Sequence, residues 1–81
     1  MTAEQAAQVI EKQRQGHEFA QDFMHTYTRS RWGWSESGQH FYWIEEEALT
    51  PNSSTTTYTE AEWRAVLTRH PWEEIVRWSE E

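Results

Sequence analysis

Residues 27–47, YTRSRWGWSESGQHFYWIEEE, hold two runs of aromatic and β-branched side chains around a Ser35-Glu36-Ser37-Gly38 centre. Side chains of these types pack well on a pleated surface, and a Ser/Gly cluster between two such runs reads as a hairpin connection. Strands are expected near 28–34 and 39–47, with Gly38 supplying the positive φ of the turn. Alternation sets Trp32 and Trp34 on one face of the first strand. On the second it sets Phe41 and Trp43 on one side, Tyr42 and Ile44 on the other. A strand apolar on both sides is either central in its sheet or carries an interaction surface on one face.

Upstream, the Ala-, Gln- and Glu-rich segment from Thr2 to about Met24 reads as one helix. Thr2 and Gln5 form a capping box, and Ala6, Val9, Ile10, Ala20, Phe23 and Met24 recur at helical spacing. Gly16 is its weak point, since a mid-helix glycine costs about 1 kcal/mol relative to alanine. Downstream, Thr50-Pro51-Asn52 marks a turn, and the threonines 55–57 suggest a short third strand. Thr59 and Glu62 make a second capping box, with Tyr58 placed to staple against Trp63. That helix carries Trp63, Val66 and Leu67 inward and ends before Pro71. Pro71 suits the first position of a last helix with Trp72, Ile75, Val76 and Trp78 on its apolar stripe. The expected architecture is a single small α+β domain over residues 1–81: an N-terminal helix, a two- or three-stranded antiparallel aromatic-rich sheet and two short C-terminal helices.

Leu, Ile, Val and Phe total eleven of 81 residues, under the roughly 20% usual for a folding chain. Six Trp and three Tyr make up the deficit, because each aromatic buries on the order of 150–250 Å². The formal net charge is −7, with seven scattered bases. Such a balance repels phosphate backbones and steers the domain toward basic protein surfaces. The chain has no cysteine, so disulfides, thiolate metal sites and a cysteine nucleophile are excluded. Residues 1–10 lack the pattern of a signal peptide and no apolar run is long enough to span a membrane. These features suit a bacterial or phage cytoplasm.

Catalytic and cofactor motifs do not emerge. His17, His25, His40 and His70 form no pair at helical ligand spacing, although a continuous first helix would bring His25 near Asp22 and Glu18. In Glu45-Glu46-Glu47, alternation sends Glu46 to the face opposite the other two, leaving a charged strand end rather than a hydrolytic pair. There is no GxSxG, GxGxxG or GxxxxGK[ST]. No enzyme activity, cofactor or metal is expected.

The five residues Tyr58-Thr59-Glu60-Ala61-Glu62 resemble the helix opening of colicin-type immunity proteins, which are also small and acidic. The capping box accounts for all five, and that family's all-helical fold and paired-tyrosine motif have no counterpart in this chain. The analogy illustrates how a small acidic domain can cover a basic site on an enzyme.

The feature richest in functional content is the aromatic cluster beside two arginines. Trp32, Trp34, Tyr42, Trp43, Arg29 and Arg31 have the composition of binding hot spots, and a part of them is expected at the surface as a partner-binding patch. The function expected is a small acidic cytoplasmic protein-binding module, an adaptor or inhibitor covering a basic surface, with no direct nucleic-acid or membrane contact. The alternatives are a structural homo-oligomer, a homodimer through the hairpin face or first helix, and a small-ligand or enzymatic domain.

Overall fold

The computed structural model describes residues 1–23, 28–47 and 49–80. The elements are α1 (Ala3–Arg14), β1 (Phe19–Phe23), β2 (Thr28–Ser35), β3 (His40–Glu47), β4 (Ser53–Tyr58), α2 (Glu60–Arg69) and α3 (Glu73–Glu80). The strands form an antiparallel meander in the order β1-β2-β3-β4. The α+β architecture is as expected, but the sheet has four strands.

The extra strand is β1, which the apolar spacing assigned to the helix. Gly16 is where the reading parts from the structure. With φ 103° it closes α1: its N–H donates to the Gln13 carbonyl at 3.0 Å, and the His17 N–H to that of Lys12 at 3.2 Å, the paired bonds of a Schellman motif. Residues 19–23 then pair with β2, Phe19 opposite Trp32 and Ala20 opposite Arg31. The association of His25 with Asp22 and Glu18 on one helix therefore has no helix to stand on, and His25 and Met24 lie outside the described residues.

Both capping boxes form. Thr2 and Gln5 exchange bonds of 2.9 and 3.1 Å, Thr59 and Glu62 bonds of 2.9 and 3.2 Å, and the Tyr58 ring stands 5.4 Å from that of Trp63. At α3 the start is later than the proline suggests. Trp72 accepts the Val76 N–H at 2.9 Å, so Pro71 lies outside the helix. The β2–β3 turn also differs: its left-handed residue is Gln39, φ 54°, not Gly38. Gly38 is small for another reason, since a Cβ there would stand 2.6 Å from His40 Nδ1.

The helices cover one face of the sheet. Ala6, Val9 and Ile10 of α1, Trp63 and Leu67 of α2 and Ile75 of α3 close over Phe19, Trp32 and Phe41. Trp32 and Trp63 are wholly buried. At ~25 cal/mol per Å², an indole burying about 200 Å² contributes about 5 kcal/mol before entropy is counted, which is how so few aliphatic residues suffice. Trp63 is also tied to α1, its Nε1 donating to the buried Gln13 Oε1 at 2.7 Å.

Candidate functional site

Register distributes the six expected partner residues over two faces. Trp32 opposes Trp43 and Trp34 opposes Phe41, all toward the helices, while Arg31 opposes Ile44 and Gly33 opposes Tyr42 on the far side. Arg29, opposite Glu46, belongs to that far side by alternation. The six do not make one patch. Trp32 is fully buried, its ring 4.7 Å from Trp72, and has nothing to offer a partner. Trp34 is half-buried, with the Arg14 guanidinium 5.0 Å over its ring and its Nε1 donating to Glu36 at 2.9 Å.

The helix-free face is held by a polar chain. Tyr42 lies across Gly33, where a Cβ would stand 2.6 Å from its Cζ, and its hydroxyl donates to Glu18. Burial first, and then the bond to the Glu18 carboxylate, push the Tyr42 hydroxyl up to about 12. Arg31 spans Glu46 at 2.9 Å and Glu18 at 3.7 Å. Arg29 is also engaged. The face is therefore self-neutralised around Tyr42 and Ile44.

The opposite face is bare over β4. Every residue from Ser53 to Thr57 is exposed, so the helical layer stops short of this strand, which is an edge of the sheet. Beside it, Trp43, Tyr58, Val66, His70 and Trp72 line an open, largely apolar groove of about 410 Å³. The Trp43 ring packs 5.2 Å from that of Trp72, and its Nε1 is buried without an acceptor. At the other end of β4, Thr28, Glu45, Glu47, Asn52, Ser53 and Ser54 line a cleft of about 290 Å³. As alternation required, Glu45 and Glu47 share this side and Glu46 the other. Sequence reasoning found Trp43 but missed the groove around it, because Val66, His70 and Trp72 come to it from α2 and the loop that follows.

The remaining histidines stand apart. His17 packs edge-on against Phe19 at 4.4 Å, and His40 Nδ1 donates to the Gly38 carbonyl at 3.0 Å. Among the described residues no three His, Asp or Glu side chains are grouped to hold a metal ion, and no helix is long and apolar enough to cross a membrane.

The geometry thus defines a two-layer α+β protein: among the described residues, a four-stranded meander with three helices on one face and an exposed β4 edge. No family model, curated protein or solved structure matches the chain.

Proposed function

We propose that this chain is a small acidic protein-binding module, an adaptor or inhibitor that covers a basic surface of a partner protein. The observation that carries the reading is how the bases are used. Arg14 and Arg64 both pair with Glu60, Arg31 with Glu46 and Arg77 with Glu73. Lys12 stands 4.3 Å over Trp78. These cations are matched at the surface by the protein's own carboxylates and rings, and at a net charge of −7 the field that reaches a partner is that of the excess glutamates. Such a field steers association with a basic surface and weakens with salt. It disfavours phosphate backbones. The grooves beside the sheet are open, which suits a macromolecular contact better than an enclosed small ligand. The reading places the protein in the cytoplasm, a reducing compartment that a chain without cysteine suits.

The test is capture of partners by the tagged full chain from a lysate of the cells that make it, at low and at high salt. A protein with a basic surface, retained at low salt and released at high salt, is the expected result. Absence of any protein partner at both salts refutes the proposal, and sedimentation as a concentration-dependent oligomer would replace it with self-assembly.

A further inference from the structure

We infer that the free edge of β4 binds its partner by strand addition, taking an extended segment that carries a basic and a large apolar residue two positions apart. The inference rests on the reading of an acidic protein-binding module and gives it a mode and a sequence preference. Four observations converge. First, the edge is open for pairing. The Glu47 N–H donates to the Asn52 carbonyl at 3.1 Å, and Glu46 opposes Ser53. Antiparallel pairs alternate between bonded and non-bonded, so Ser53, Thr55 and Thr57 turn their backbone N–H and C=O groups away from β3, toward the vacant side. Second, the usual protection of an edge is missing. Natural edges carry charges, proline or a bulge against pairing, but no charged side chain stands between Glu47 and Glu60, and β4 pairs with β3 without a break from Ser53 to Tyr58.

Third, two of the β4 residues on the helix side, Ser54 and Thr56, are small. Ser54 opposes Glu45 and Thr56 opposes Trp43. Strands lie about 4.8 Å apart, which puts an added strand about 10 Å from β3, a gap that an arginine and a glutamate side chain span together. A base set opposite Ser54 therefore reaches Glu45 over the serine. An apolar side chain set opposite Thr56 leans over it into the groove of Trp43, Tyr58, Val66, His70 and Trp72. These two positions are two residues apart, on one face of the added strand. Fourth, the charge is complementary and uncommitted. Among the described residues Glu47 accepts the Thr50 hydroxyl, at 2.6 Å, and the ion pairs of the protein leave Glu45 and Glu47 without a cation. A second copy does not fit the same edge as well, since its own β4, Ser53-Ser54-Thr55-Thr56-Thr57-Tyr58, offers no base for Glu45.

The test titrates the full-length protein with a capped seven-residue peptide that has arginine and leucine two positions apart and threonine elsewhere. Two control peptides accompany it. One moves the leucine next to the arginine, so that they face opposite sides; the other is N-methylated at alternate residues and cannot complete a ladder. Amide shifts and hydrogen exchange report where binding occurs. The first peptide is expected to protect the Ser53, Thr55 and Thr57 amides, and each control to bind at least about tenfold more weakly, the loss of one or two ladder bonds or of the groove contact. Glu45→Gln is expected to weaken binding up to about fivefold at low salt and to remove much of the salt dependence. Thr55→Pro removes an edge donor that an edge strand can spare and is expected to abolish protection. Equal binding of the control peptides, no binding of the first, or shifts confined to the Tyr42 face would overturn strand addition. The same amides becoming protected with rising protein concentration alone would overturn it in favour of a second copy. None of these outcomes touches the module itself, which falls only if salt-sensitive capture of a partner fails.

Discussion

Substituting Gly33 by alanine tests whether the open sheet face is organised by Tyr42 as described. An ideal Cβ at Gly33 stands 2.6 Å from Tyr42 Cζ and closer to the hydroxyl. Ordinary carbon contacts lie at about 3.5–4.0 Å, so the ring must withdraw by about 1 Å or swing aside. A hydrogen bond lengthened by that much is lost, and with it goes the link to Glu18. The energy change is small because two effects oppose: losing a half-exposed bond costs about 0.5–1.5 kcal/mol, while replacing a strand glycine restores about 0.4–1 kcal/mol through the unfolded state. Stability is therefore expected to change by less than about 1 kcal/mol. The titration is the sensitive measure. Burial is the larger cause and the Glu18 bond the second cause of the raised Tyr42 value of about 12; alanine at 33 weakens both, so the value falls toward the ordinary 10. Glu18→Gln leaves the ring over Gly33 and removes only the carboxylate, so its fall is smaller. Phenolate absorbance during alkaline titration, compared across the two variants, reads this order. An unchanged Tyr42 value in Gly33→Ala, or a larger fall in Glu18→Gln, would refute the placement of the ring.

The native protein is expected to lose stability as pH rises from about 10 through about 12, because Tyr42 keeps its proton longer folded than unfolded and the unfolded chain binds fewer protons there; the midpoint of chemical unfolding followed against pH checks it. Thr59→Ala removes the acceptor of the Glu62 N–H and is expected to cost about 1 kcal/mol. The Glu62 carboxyl, held low by its bond from the Thr59 N–H and by the Thr59 side chain, rises in that variant, which carboxyl NMR titration detects. Below the folded value of Glu62 its contribution is gone, so the gap between variant and native should narrow as pH falls through that value. Gly16→Ala forces an L side chain into φ 103° and is expected to destabilise by more than about 1 kcal/mol, seen as a lower midpoint in urea. Trp32→Ala empties the middle of the core at about 3–5 kcal/mol, a large share of the total of about 4–12 kcal/mol for a chain of this length, and is expected to abolish a cooperative melt where Trp34→Ala retains one.

The parts of the fold legible in the sequence are those written in local chemistry. Both capping boxes, the hairpin of β2 and β3 and the short strand that holds the threonines follow from side chains acting on their neighbours within a few residues. The segment 17–24 was misread because its evidence is ambiguous at short range: Ala20, Phe23 and Met24 suit helical spacing as a continuation of Val9 and Ile10, while Phe19, Gln21 and Phe23 equally suit a strand. Gly16 decides between them. A glycine that only weakens a helix and one that ends it look alike until the next residues have a sheet edge to join, and the edge of β2 that receives Phe19 opposite Trp32 is a long-range fact.

The candidate surface follows a similar division. Composition gathered Arg29, Arg31, Trp32, Trp34, Tyr42 and Trp43 into one group, but period-two alternation separates neighbours, so residues adjacent in the chain end on opposite faces. Of the two ways to explain a β3 that is apolar on both sides, the structure bears out the first: the strand is an inner one, between β2 and β4. What no local pattern encodes is where the helical layer stops. The connection after β4, a single residue before Glu60, returns α2 inward over the sheet rather than outward past its edge. That leaves β4 uncovered and assembles the groove from residues 43, 58, 66, 70 and 72. One signal was nevertheless present. In a chain that is 26% charged, the run between Glu47 and Glu60 has no charge at all. A solvent-exposed edge strand under selection against pairing acquires a lysine or a proline within it. A strand that has neither, beside two glutamates that no cation pairs among the described residues, is the local pattern from which we infer that a basic segment joins the sheet.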